Sequence, residues 1–477
     1  MTAAIAAGAW APSAPLLDAG QKPRRWSSPG AETLRHPRLA DIAHIPGKRG
    51  LPVVGVMPEV ILDPLAFSER MTRRYGPVYR FHALGKWHLH LTGPEANEML
   101  LFDPDSIFSA EGGWGPLVGP LFPGALLVRD GAEHRSGRRM LGEAFRQAEL
   151  GGYQRIFAGD IDARVGAWAG REVDPYAEAK ALTFRIAAST FLGLPLNGEA
   201  EEAVGHFASM MGGLLTIVSD PRFSLVRRRG FAAKVRLETL LGRLVREKRA
   251  VPGADFLSRM ATIRDEEGRL LPVGEIVDSF IFLLSAAHDT MASALTSMTW
   301  FLASEREWAG RLRDELDEAG VVEPLDAAAA KLPLMEMFYK ETLRLNGPAP
   351  IIWRRASRPF SIHGYDIPGG MMTGANLMMS HRRADVWPDP LRFDPLRFTP
   401  EAEKGRSRFA FAPFGAGVHK CLGMHFAQQQ AKIFAAYLLL KLRLETVGNS
   451  PPTWYHWPNC RPRRAIRISA RPIYRDR

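Results

Sequence analysis

The chain has 477 residues, of which 46% are hydrophobic and 24% charged, enough apolar material for a sizeable core. A formal charge of +11 raises the question of nucleic acid, but no reader motif or basic–aromatic repeat accompanies it. Two cysteines, Cys421 and Cys460, exclude a disulfide framework and suit a reducing cytosol, and the longest apolar stretches, such as Phe280 to Ala287, fall far short of a membrane span.

Met1 to Trp26 is alanine-rich with scattered Pro and Gly and has no basic segment followed by a long apolar one. Neither a signal peptide nor an anchor is read there, and residues 1–35 are expected to be a flexible tail. Length alone allows about three domains. No linker, low-complexity run or repeat divides the remainder, so 36–477 is expected to form a single large domain. Pro46 to Gly55 is a proline/glycine lead-in, and Asp63 to Tyr75 reads as a helix with Asp63 as N-cap and Pro64 at the first position. Val78–Ala83 and Trp87–Thr92 read as a hairpin around Gly85. Helical patterns then dominate to about residue 348, and short strands return over 350–375 around Gly364 and Gly369-Gly370. The fold class is mainly α with a small β subdomain.

Three segments within this frame carry chemistry. His134 and Arg138 fall four apart on a predicted helix, so both point to one side. The longest helix is predicted from Val273 to Ser304; it is apolar nearly all round except at Asp278, Ser285, His288, Asp289 and Thr290. His288 reads as a core histidine or part of a proton path. Glu341 and Arg344 lie three apart among apolar neighbours, a pair that needs further partners if buried, and Arg397 offers one.

The most informative stretch is Phe409 to Gly423, with the pattern Phe414-x-x-Gly417-x-x-x-Cys421-x-Gly423 ahead of a predicted helix from Met424 to Leu440. Two glycines let the backbone bend and approach a flat ligand, and a thiol before a helix N-terminus is favoured as thiolate. Three other readings stand beside this one. Gly415-x-Gly417 could be half of a dinucleotide loop, but Lys420 occupies the position of the third glycine. His419, Cys421 and His425 could bind zinc, although structural zinc usually takes four ligands, and Cys421 could be a small buried hydrophobe.

The loop resembles the haem-ligand loop of the cytochrome P-450 superfamily. Ala286-Ala287-His288-Asp289-Thr290 resembles that family's oxygen-activation segment, departing at Ala287, where glycine is usual. Glu341-x-x-Arg344 with Arg397 resembles its structural triad. The resemblance implies haem b with Cys421 as iron ligand. It implies that Phe414, Gly417, Gly423 and Ala286 lie against the cofactor, with His134, Arg138, Arg354 and His419 at the propionates. Arg355 could replace Arg354, since strand parity is not fixed by sequence. Thr290 and Asp289 are implied as the catalytic acid–alcohol pair delivering protons. Pocket positions implied by the family are Phe108, Trp114, Leu117, Leu121, Phe122, Met210, Met211, Leu214, Leu215 and Ile217, together with Phe282 and Ile351–Trp353.

The implied activity is a cytoplasmic monooxygenase that inserts one atom of O2 into a lipophilic molecule of terpenoid, retinoid, sterol or fatty-acid type. Electrons would come from a separate ferredoxin and ferredoxin reductase, because no flavin or cluster module is recognisable. The alternatives are a haem-thiolate peroxygenase or isomerase, which commonly lacks the acid–alcohol pair, and a non-enzymatic haem-binding protein.

Overall fold

A computed structural model describes residues 34–119, 122, 124–143, 145, 147–194, 198–214, 224–265, 267–321, 331–448 and 450–473. The expected tail thus lies outside the described residues up to residue 33, and Leu34 already meets the sheet, its carbonyl accepting from Arg355.

Local chemistry sets the first elements. Asp63 caps the helix Pro64–Tyr75, its Oδ1 accepting from the Ala66 N–H at 3.0 Å, and Gly76 at φ +86° ends it. Phe67 and Met71, one turn apart, are buried, with Phe67 edge-on to Phe81 at 5.8 Å. The hairpin follows as Val78–Ala83 and Lys86–Leu91, paired antiparallel from Val78–Leu91 to Ala83–Lys86. Leu84 and Gly85 at its tip both take positive φ, the values with which a two-residue turn matches the strand twist.

The strands expected over 350–375 are Ile351–Ala356, Phe360–Ile362, Tyr365–Ile367 and Met372–Asn376. Two of them join the hairpin in a six-stranded sheet ordered Gly47–Lys48, Val78–Ala83, Lys86–Leu91, Met372–Asn376, Ile351–Ala356, Phe108–Ser109. Leu89, Leu91, Leu100, Phe108, Phe360 and Ala375 belong to the core packed on it. Two strands interrupt the long helical stretch, Phe108–Ser109 and Arg171–Val173; the second pairs with Ile468–Pro472, a partner too remote for any local pattern to announce.

Helices make up most of the rest. The longest spans Val273–Ser304, the same bounds as its apolar pattern predicts, and its 32 residues extend about 48 Å without a break. The last, Met424–Lys441, follows the glycine loop. Among the described residues no helix is long and apolar enough to cross a membrane.

The chain divides into two compact units. Over the described residues, one comprises Trp114–Ile156 and Phe184–His288 and is helical. Within it the helices Glu199–Leu214 and Leu225–Ala250 approach closely at Gly213 and Gly230, where an added Cβ would lie 2.8 Å from the opposite Cα. The other comprises Pro29–Gly113, Phe157–Thr183 and Asp289–Arg477 and holds every sheet. The central helix runs from the first unit into the second between His288 and Asp289.

Candidate functional site

In the second unit the glycine loop is anchored at its start and open at its end. Phe409, Ala410 and Ala412 are buried; Phe409 O accepts from Asn97 Nδ2 at 2.9 Å, and the Ala412 N–H donates to His381 Nε2 at 3.2 Å. Gly417 sits at φ +63°, and a Cβ there would lie 2.7 Å from the carbonyl oxygens of Leu101 and Phe102. No other residue fits that position without moving backbone. The Cys421 N–H donates to Phe414 O at 2.9 Å, closing the turn, and the Cys421 side chain is exposed. Gly423 then forms the N-cap of Met424–Lys441. Cys460 is its opposite: fully buried, with burial pushing its thiol up to about 12.

Beneath the loop lies a buried ion pair. Arg344 binds Glu341 through two bonds, Nε to Oε2 at 2.6 Å and Nη2 to Oε1 at 2.8 Å, and both side chains are fully buried. The other bonds of the guanidinium go to the carbonyls of His381, Pro390 and Arg392 at 2.7, 2.7 and 3.2 Å. Arg397 Nε lies 3.5 Å from Glu341 Oε1, completing the expected triad, and the Asp394 N–H donates to the same oxygen at 2.9 Å. His381 links this triad to the loop, accepting from Ala412 while its own carbonyl takes the arginine. Neither His381 nor Asn97 carries a sequence signal of this role; each is distant in sequence from what it holds.

Strand parity separates the two arginines. Arg355 commits its guanidinium to the carbonyls of Gly370, at 3.1 Å, and Leu34. Arg354 is buried, donates to Trp353 O at 2.9 Å, and acts together with His419 on the Asp103 carboxyl. Burial pushes that carboxyl up, against the N–H groups of Phe108 and Ile107 and the two cations. An exposed thiol on a glycine bend with Arg354 and His419 in the same unit suits an iron porphyrin bearing carboxylates. Zinc does not fit: among the described residues no three His, Cys, Asp or Glu side chains gather as a metal site.

On the central helix, Asp289 and Thr290 are half-buried. Burial pushes the Asp289 carboxyl up, with Lys180 Nζ at 3.7 Å from Oδ1 pulling the other way. In the first unit His288 is buried and stacks on Phe184 at 3.8 Å, which favours the core reading of that histidine. His134 is buried and Arg138 half-buried on the helix Gly131–Glu143, one turn apart as expected; Ala286 is accessible.

The pocket expectations divide. Phe108 is corrected: it lies in the sheet core against Phe360 at 4.9 Å, because the short strand Phe108–Ser109 pairs with Arg355–Ala356 and turns the ring inward. Trp114 and Met211 are half-buried, whereas Phe122 and Met210 are buried. Leu121, Leu215 and Ile217 lie outside the described residues, as do the side chains of Leu117 and Leu214.

The sequence matches the cytochrome P-450 family model over residues 45–466. Cytochrome P-450 136 of Mycobacterium tuberculosis is 34% identical over 417 residues, covering 84% of this chain and 82% of that protein. Cytochrome P-450 120 of Synechocystis is 27% identical over 430 residues, covering 89% and 96% respectively. Among solved structures, the retinoic-acid-bound cyanobacterial CYP120A1 superposes with a TM-score of 0.82 at 26% identity, over 90% of this chain and 99% of that one.

Proposed function

The chain belongs to the cytochrome P-450 family of haem-b monooxygenases, and from that premise we propose that it inserts one atom of O2 into a lipophilic substrate, with Cys421 as the iron ligand. The observation that carries the assignment is the exposed Cys421 thiol on a bend that only Gly417 permits. Haem, when bound, supplies the oxidising chemistry, and a thiolate ligand favours O–O cleavage. The rest falls to the chain. Arg354 and His419, with His134 and Arg138, would hold the propionates, and Phe414, Gly417, Gly423 and Ala286 would line the ring. With haem bound, Asp289 would take protons from solvent and pass them to Thr290, whose hydroxyl would donate them at the site. Burial raises the Asp289 carboxyl, with Lys180 opposing it, so its affinity for a proton is increased over that of an exposed aspartate.

Thr290→Ala and Asp289→Asn are accordingly expected to lower product formed per electron consumed by roughly 10-fold or more. The missing electrons should appear as hydrogen peroxide. Unchanged coupling in both variants would remove the pair from the mechanism.

The retinoic acid in the CYP120A1 structure supports the lipophile class, and retinoids head the candidates. Spectral titration against a panel of retinoids, terpenoids, sterols and fatty acids tests this; a panel of small polar molecules binding instead would overturn it. Cys421 and Cys460 form no disulfide, which favours work in a reducing cytoplasm.

Electrons come from a ferredoxin and its reductase in this reading, with the net charge of +11 favouring an acidic carrier. Arg135, Arg139 and Lys420 are exposed and offer positive charge near residues assigned to the haem. Reversing all three charges is expected to slow first-electron transfer roughly 10-fold at low salt, with the deficit shrinking as salt rises. Stopped-flow reduction at parent rates throughout the salt range would put the docking surface elsewhere.

A further inference from the structure

The central helix carries an acid that this mechanism does not use. Asp278 lies in the first unit, and its neighbours Val277, Ser279, Phe280 and Ile281 are buried while it stays partly accessible. Phe282 and Ala286, four and eight residues further, are accessible too. Asp278, Phe282 and Ala286, spaced i, i+4 and i+8, form one stripe along a face of this helix. Phe282 meets Phe122 edge-on at 5.7 Å, and at nearby Gly124 an added Cβ would lie 3.7 Å from Asp278 Oδ2. The stripe therefore passes from a small residue, through an aromatic wall, to a carboxylate.

Lys234 pairs with Glu238 on Leu225–Ala250, both buried. Arg129 pairs with Glu275 at 3.5 Å and donates to Gly124 O at 2.5 Å; Glu133 also acts on it. Each cation is already paired with an acid, and Asp278 is a further carboxyl beside them, pushed up by burial and drawn down by Lys234 and Arg129. It feels Lys234 and Arg129 electrostatically, but among the described residues it accepts no hydrogen bond and lies in no ion pair. Glu238, whose carboxyl burial and then Asp278 push up, has a second buried oxygen, Oε2, with no hydrogen-bond partner. An acceptor withdrawn from water without a donor is costly, which applies to Glu238 Oε2, while the partly accessible Asp278 carboxyl, taking no hydrogen bond from the described residues, is open to a donor from outside the chain.

We propose that Asp278 determines specificity at the far end of the substrate, accepting a hydrogen bond from a hydroxyl or ammonium group and turning carboxylates away. This deepens the lipophile monooxygenase reading and rests on it. Helix rise puts Asp278 about 12 Å from Ala286, which sets the length of skeleton between the two. Within one skeleton, an alcohol such as retinol is a better ligand than the matching acid.

The test is spectral titration of the haem-loaded enzyme with a retinoid series and a straight-chain series. Each series ends in an alcohol, a primary amine, a carboxylate or a methyl group. The alcohol and amine are expected to bind at least roughly 10-fold tighter than the acid. Asp278→Asn should compress the amine-over-acid preference by roughly the same factor while the carbon monoxide difference band stays intact; Asp278→Glu should preserve the ranking. An acid that binds the parent as tightly as the alcohol overturns the inference, as does an unchanged ranking in Asp278→Asn. The ranking in the parent decides the sign of the preference even where the Asn variant fails to hold haem. Failure of every member of both series to bind overturns the lipophile reading itself, and this inference with it; a reversed ranking among ligands that do bind overturns this inference alone.

Discussion

Cys421→Ala is expected to abolish the red-shifted Soret band of the reduced, carbon-monoxide-treated protein together with all monooxygenase turnover, while Cys460→Ala leaves both intact. The two thiols differ in everything that governs ligation. Cys421 is exposed, fixed by its N–H to Phe414 O at 2.9 Å, and stands just before the N-terminus of Met424–Lys441, where the free N–H groups favour negative charge. Cys460 is fully buried on the strand Cys460–Pro462, and a thiol pushed up to about 12 stays protonated across the working range. Cys421→Ser separates ligation from loop shape, since serine keeps the turn and changes the donor. A red-shifted band surviving in Cys421→Ala but lost in Cys460→Ala would reverse the assignment.

What could be read from sequence follows the range of the forces involved. The helix Pro64–Tyr75 and the hairpin after it are written in local terms: an N-cap, a proline, alternation, a two-residue turn. The bounds of Val273–Ser304 were equally legible, because a helix through a core is apolar nearly all round until it ends. The glycine loop was legible because close backbone approach leaves glycine no substitute at 417. Sequence was silent where one residue answers to another far away. The choice between Arg354 and Arg355 depends on which face of Ile351–Ala356 looks toward Gly370, and Phe108 turns inward through its pairing with that same strand. His381 and Asn97 had no signal at all, since a lone polar residue that reaches across the fold leaves no periodicity behind.

Arg344 is where the second large effect is expected: Arg344→Ala should yield protein that retains little haem and has lost about 3–5 kcal/mol of stability. The guanidinium makes five hydrogen bonds in full burial, two to Glu341 and three to carbonyls. Removing it leaves the Glu341 carboxylate buried with Arg397 at 3.5 Å and the Asp394 N–H as remaining partners, and three carbonyls without their donor. Arg344→Lys keeps the charge but offers one ammonium with three donors in place of a planar fork, so it should fall between parent and alanine. The effect reaches the cysteine through His381. Its carbonyl is tied to Arg344 Nη1, and its Nε2 accepts from Ala412 at the base of the loop. Burial lowers that imidazole to about 3, so it stays neutral and remains an acceptor at any pH the enzyme meets. A His381→Phe variant, which keeps the ion pair and removes the acceptor, should therefore lose less stability than Arg344→Ala yet still weaken the red-shifted band. Denaturant unfolding followed in parallel by backbone dichroism and by that band separates the two losses. If Arg344→Ala holds haem and unfolds at the parent midpoint, the ion pair does not support the loop.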